Sequence, residues 1–561
     1  MAFLVDIVGY LGILLHGLTI VAQSMTLGSI LFLVCLARPF APALTAGPAI
    51  RESAARIGAW SAIGLVAVEA TNVALQSAVL VETIDLSWIE ALGAHFAIAG
   101  LVKIGMATLI AVLLFWPRLF RPRLFAPPGA PGALLLALGA VELAAATMTT
   151  HAAARLGDNA LLLAVEGLHQ FGAAIWIGGI PCFVMALARL QATGEIRRVS
   201  ARFSRMSMLG VGCIIVSATV MSIFYVGAWS AMYGTAYGVM VGAKTAMFLM
   251  LLGLGLGNFL VTERLRDDPT APVQRLRRFA EVEIGIGFTL FFTAASLTSV
   301  PPAVDMSHED RATWQEVMER DIIPHWPRFA SPEHDSLAIS ELQAKVDAER
   351  AAHALPPRAA FVEGSGFLPP RNASDIAWSE YNHHWAGVFV VAIGLIILLS
   401  QAGVRFARHW PMLFLVLAAF LLVRSDPEIW PLGNVGLIES LRDPEVVQHR
   451  LFVLVTILFS FFEWGVRLGR IRNPRAALIF PLIIGVGAAL LLTHSHQISN
   501  VKDALLIEFT HTPIALLSVV AAWTRWLELR LPGERLGRIA GWVWPTCFVL
   551  IGTGLLLYRE A

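Results

Sequence analysis

The chain is poor in charge, in cysteine and in every motif by which pumps use nucleotide. Only 14% of its 561 residues are Asp, Glu, Lys or Arg, against 57% hydrophobic, which excludes a water-soluble globule of ordinary makeup. The four cysteines, Cys35, Cys182, Cys213 and Cys547, fall inside or at the ends of apolar segments and form no Cys-x-x-Cys pair. Each reads as a buried small apolar residue rather than a disulfide or a ligand. There is no nucleotide-binding loop, no Asp-Lys-Thr-Gly and no Cys-Pro-Cys, which argues against an ATP-driven metal pump. The amino terminus, Met1 to Asp6, lacks a basic n-region and runs into an apolar stretch too long for a cleaved leader, so it reads as a retained first helix. No nucleic-acid partner is expected; the net charge of +1 does not bear on that, and what matters is where the charges sit.

What the chain has instead is continuous apolar runs, many of roughly 17 to 25 residues, the length of a helix that crosses hydrocarbon. They lack the alternation of barrel strands. The expected fold is all-α, a polytopic integral membrane protein of about fourteen transmembrane helices: 8–36, 59–80, 94–116, 133–151, 162–187, 206–227, 236–261, 280–297, 385–399, 411–423, 451–466, 476–492, 504–523 and 539–557. Every second connection is basic, as in Arg118, Arg121 and Arg123 or Arg197, Arg198, Arg202 and Arg205, and those between are acidic or nearly neutral. Basic loops face the cytoplasm. The alternation predicts a multi-pass protein of a bacterial inner membrane with both termini and the 301–381 insert periplasmic. The expected domains are a membrane domain at 1–300, that periplasmic insert, and a second membrane domain at 382–561.

Two stretches carry the chemistry, and they resemble each other. In one, Met148-Thr149-Thr150-His151 is followed by Glu166-Gly167-Leu168-His169; in the other, Thr493-His494-Ser495-His496 is followed by Glu508-Phe509-Thr510-His511. His151 and His169 are 18 residues apart, and His494 and His511 are 17 apart. Of fifteen histidines, four lie in the insert and His409 at a cytoplasmic helix start. The rest map to the outer half or outer end of a helix. They fall on spans one, three, four and five (His16, His95, His151, His169) and on spans nine, eleven, twelve and thirteen (His383, His384, His449, His494, His496, His511). The second set repeats the first eight spans later, which predicts a parallel internal duplication of spans 1–6 and 9–14.

Neutral imidazole is the commonest metal ligand, and two imidazoles can also hold a haem axially. Each Glu stands three residues before its His on the same helix face, where it can orient the imidazole or ligate. Thioether sulfur from Met148 suits cuprous ion. The expected metal ligands are therefore His16, His95, Met148, His151, Glu166 and His169 in one site, and His384, His449, His494, His496, Glu508 and His511 in the other. Lys103, Lys244, Glu69, Glu142 and Glu283 also lie within spans, and interhelical ion pairs are their expected role. Asn258 with Gly253, Gly255 and Gly257 reads as a close-packing run, and the insert as a linker laid over helix ends.

Leu168-His169-Gln170-Phe171, continuing through Trp176-Ile177-Gly178-Gly179, Arg202-Phe203-Ser204-Arg205 and Tyr237-Gly238 to Lys244 and Phe248, resembles the copper-resistance D (CopD) family of bacterial inner-membrane proteins. The resemblance covers about 166–299. It implies copper handling at the periplasmic face, with uptake across the inner membrane alongside a periplasmic copper-binding protein of CopC type. It also implies His169 as a copper ligand, and Trp176, Gly178 and Gly179 as packing features. The sequence-level reading is thus a copper-binding transport protein, not an enzyme, with no catalytic residues. Two alternatives stand beside it: a b-type haem protein passing electrons between quinol and a periplasmic partner through the same histidines, and an assembly scaffold for a copper oxidase.

Overall fold

A computed structural model describes residues 2–115, 130–155, 157–268, 273–356, 371–426, 429–433, 436–441, 444–493 and 501–560. Its elements are helical throughout these residues. Backbone groups in hydrocarbon find no water, so a spanning segment must satisfy its own hydrogen bonds as a helix. Fourteen long helices follow: α1 (Ala2–Leu31), α2 (Gly47–Ile84), α3 (His95–Phe115), α4 (Ala130–Thr147), α5 (Asn159–Arg189), α6 (Thr193–Tyr225), α7 (Ala236–Asp267), α8 (Val273–Leu297), α9 (Ala373–Gln401), α10 (Leu413–Arg424), α11 (Pro444–Arg467), α12 (Ile479–Thr493), α13 (Val501–Arg530) and α14 (Arg535–Leu556). One falls on each expected span. By length and composition, twelve segments among the described residues qualify as membrane crossings. A shorter apolar helix, Gly132–Thr147, lies in α4.

Helix faces sort as lipid-immersed helices should. On α6, Leu209, Val216 and Ile223 are 58–66% exposed and recur every seven residues, about two turns, while Gly210, Ile214 and Ser217 on the opposite face are buried.

The chain divides into two compact units, one mainly Tyr10–Arg311 and the other mainly Ala312–Leu491 with Ser495–Ala561. In the first unit, close backbone approaches set the packing. A Cβ on Gly28 would sit 2.2 Å from the Gly178 carbonyl carbon, and one on Gly178 would sit 1.9 Å from the Ser24 oxygen. Here α1 and α5 touch backbone to backbone. Gly172 and Gly210 do the same for α5 and α6. Within α5, residues Ala174–Gly178 form a π-turn, whose extra residue widens the helix where Trp176 turns inward. Of the Gly-rich run on α7, Gly257 meets the Phe279 ring but Gly253 has open space around its Cβ position; Asn258 instead bonds Glu283.

In the second unit, α9 and α14 approach at Gly387 and Gly552, and an aromatic core of Trp410, Phe459, Phe480, Trp544 and Phe548 fills the space beneath. A capping box of Asn372 and Asp375 starts α9. The insert lies along that start: the Ala338 N–H donates to Asp375 at 3.3 Å, and Asn372 donates to the Ser336 carbonyl at 2.9 Å. A helix, Ala338–Ala352, forms the middle of the insert.

Candidate functional site

The first unit encloses a cavity of about 260 Å³ bounded by α1, α3, α5, α6, α7 and α8. It lies toward the end marked by the α4–α5 and α6–α7 connections. The long α4–α5 connection folds back as a short helix, His151–Ala154, and Asp158 takes a left-handed conformation before α5 begins. That turn places His151 on the wall of the same cavity as Glu166 and His169, and α1 adds His16.

The proton on His169 can be placed. The Ser217 hydroxyl donates to the Cys213 carbonyl at 2.6 Å. It therefore accepts from His169 Nδ1, 3.0 Å away, which leaves Nε2 as the lone-pair atom. His151 Nε2 is buried without a hydrogen-bond partner. Glu166 does not orient His169 as its spacing suggested: its carboxylate accepts from Gln170 at 3.0 Å, and Gln170 accepts from Gln23 at 3.0 Å. The cavity's fixed charges largely offset one another. Lys103 pairs with Glu69 at 2.6 Å, with Thr19 donating to the same carboxylate at 3.2 Å, and Lys244 interacts with Glu166.

Two expected ligands stand elsewhere. His95 is exposed at the start of α3, and Lys103, about two turns further on, is the residue of that helix that lines the cavity. Met148 is 48% exposed; the sulfur on the wall belongs to Met221 of α6, which no repeated spacing marked. Among the described residues, no three His, Cys, Asp or Glu side chains close on one point in the manner of a finished metal centre. The donors instead ring an open space.

The second unit treats its histidines differently. His384 is buried with both ring nitrogens occupied: Nδ1 accepts from the Arg328 N–H at 2.7 Å, and Nε2 donates to the Tyr558 carbonyl at 2.9 Å. It pins the insert and the chain's last turn to α9. Successive helix residues point about 100° apart, so only one of His383 and His384 can face α13, and it is His383. Its Nδ1 donates to the Ser379 carbonyl at 2.9 Å, its ring stacks on Tyr558 at 3.9 Å, and the His511 ring stands 6.1 Å away, edge to face. Tyr558 in turn donates to Glu560 at 2.7 Å, which also takes Arg371 at 2.6 Å. Glu508 Oε2 is buried without a partner. His449 faces Asp426 at 2.7 Å, and His494 and His496 lie outside the described residues.

Comparison with known proteins bears on the first unit. Residues 197–297 match the family model for copper resistance protein D, CopD. The copper transport protein CutJ of Bacillus subtilis (strain 168) is 28% identical over 177 residues, 30% of this chain and 31% of that protein. Copper resistance protein D of Pseudomonas syringae pv. tomato is 26% identical over 181 residues, 30% of this chain and 58% of that protein. The chain therefore spans less than two thirds of the length of either relative. No solved structure matches it. The resemblance to the CopD family, read over about 166–299, is supported by both relatives and by the family match, which begins at residue 197.

Proposed function

We propose that this is a copper-handling protein of the bacterial inner membrane, which receives copper at the periplasmic end of its first unit and passes it across the bilayer. The observation that carries the reading is the cavity whose wall holds His16, His151 and His169, with His151 Nε2 unpartnered and His169 Nε2 left as a lone pair. Imidazole nitrogen with the Met221 thioether is a donor set matched to copper rather than to hard cations. Donors spaced around an open cavity suit an ion that must leave again, which favours transit over storage. The names of the two relatives point the same way. Fourteen crossings, periplasmic termini and a CopC-type donor protein belong to this proposal, as do the ligand roles of His16, His151, Glu166 and His169.

The haem reading fares less well in the first unit. A volume of about 260 Å³ falls below the roughly 300–1,000 Å³ of pockets that enclose drug-sized ligands. The test is metal analysis and a visible spectrum on the purified full chain, followed by copper uptake into proteoliposomes. Copper bound in proportion to protein, and weakened about 10- to 100-fold by His169→Ala, is expected by comparison with measured losses at metal sites. A Soret band in the purified protein, or uptake no faster than in empty vesicles, would overturn binding or transport respectively.

A further inference from the structure

Trp176 lines a second cavity as well as the first. This inner pocket, of about 40 Å³, lies among α5, α6, α7 and α8, toward the opposite end of the unit from the histidines. Its polar wall is made of Ser200, Ser204, Ser207, Asn258, Thr262 and Glu283. No imidazole or sulfur lines it, so it is a poor match for copper.

Three of those oxygens want a partner. Ser200 Oγ, Ser207 Oγ and Asn258 Oδ1 are buried and accept or donate no hydrogen bond. A buried helical serine ordinarily donates to a carbonyl one turn back, as Ser217 does; these two do not. Glu283 is 3% exposed and receives only neutral donors, the Trp176 indole at 3.2 Å and the Asn258 amide at 2.6 Å. A carboxylate in the membrane interior with no cationic partner among the described residues, surrounded by orphaned oxygens, is a costly arrangement when empty of charge.

We propose that Glu283, Asn258, Ser200 and Ser207 form a binding site for a small hard monovalent cation, with sodium as the occupant. Oxygen-only donors suit a hard ion. The single carboxylate sets the charge at one, because a divalent ion would leave a net positive charge buried. The pocket exceeds the roughly 10–15 Å³ that one water-sized occupant requires. The site stands on these observations alone and does not depend on the copper reading.

The experiment is binding of radioactive sodium to the purified, copper-free full chain, with thermal unfolding in sodium chloride against choline chloride at equal ionic strength. Saturable binding and a sodium-dependent rise in unfolding temperature are expected. Glu283→Gln should abolish both, and Ser200→Ala with Ser207→Ala should weaken sodium about tenfold or more while leaving the protein folded. Should Glu283→Gln fail to fold, the serine pair decides. Absence of saturable sodium binding overturns the site, and so does binding unchanged in the serine variant. Stability that follows pH but ignores sodium also overturns it, since that result marks a protonated carboxyl beside water. Because no copper is present, failure here leaves the copper proposal standing.

Discussion

Removing Lys103 should harm the first unit far more than removing its partner Glu69. Lys103 Nζ lies 2.6 Å from Glu69 Oε1, and both side chains are nearly inaccessible. Lys103→Met leaves the Glu69 carboxylate in an apolar interior with Thr19 as its remaining donor at 3.2 Å. Stranding one member of a buried pair typically costs about 3–5 kcal/mol. The reverse change differs because a second carboxylate is at hand. Glu142 on α4 is fully buried, neither of its oxygens has a hydrogen-bond partner, and it interacts electrostatically with Lys103. After Glu69→Gln the lysine keeps a counter-charge and the amide keeps hydrogen-bonding capacity, so a loss of about 1–2 kcal/mol is expected. Glu142→Leu, which removes a carboxylate without breaking any hydrogen bond, should be neutral or stabilising. Unfolding in mixed detergent micelles would give the three values and, with Lys103→Met/Glu69→Gln, the coupling energy of the pair. Equal and additive losses for Lys103→Met and Glu69→Gln would refute the argument that Glu142 serves as a reserve counter-charge.

Two further outcomes are expected. Gly178→Ala would place a methyl 1.9 Å from the Ser24 oxygen, and because backbone cannot rotate away, a cost of at least about 1–3 kcal/mol should follow, read as a lower unfolding temperature and fewer monodisperse molecules; wild-type behaviour would show that α1 and α5 do not touch there. In the insert, burial pushes the Asp321 carboxyl up to about 7 from 3.8, with Arg320 opposing, and its Oδ2 has no partner. The folded state thus prefers the neutral acid, so the native aspartate loses stability as pH rises from near 4 through about 7. Asp321→Asn should match the wild type at pH 4 and exceed it in unfolding temperature increasingly up to pH 8; a difference independent of pH would refute this.

The helices were readable because each depends on a local quantity, the length of an apolar run: a helix lies on every expected span, and twelve segments among the described residues are long and apolar enough to cross a membrane. The cavity was readable in part. His151, Glu166 and His169 line one cavity, since a short break between two helices brings its flanking residues to one end, but among the described residues they do not close on one point. His95 was misleading because a run of apolar residues records depth but not azimuth: His95 and Lys103 share a helix, and only packing shows which one looks inward. Met221 and Ser217 carried no signal at all, as a methionine or serine inside a span looks like ordinary packing. The same holds for Ser200 and Ser207, whose interest lies in hydrogen bonds they do not make. Even the two adjacent histidines of α9 could be told apart only by which one the Arg328 peptide and the Tyr558 carbonyl had already claimed.

That last contrast bears on how the repeated spacing should be understood. An imidazole offers two nitrogens, and what it can do depends on how many are taken. In the first unit Ser217 occupies one nitrogen of His169 and leaves the other over a cavity. In the second unit His384 has neither to spare, and His383 lies under Tyr558, whose hydroxyl and neighbouring Glu560 fasten the end of the chain across it. Similar Glu-x-x-His segments thus end in different surroundings: His169 is held through Nδ1 by Ser217 on the wall of a cavity, whereas the His511 ring stands edge to face against His383 and Tyr558. His169, His383 and His511 are all half-buried, so what separates them is the partner that holds each ring and not its exposure, and equivalence of spacing does not carry over into equivalence of surroundings.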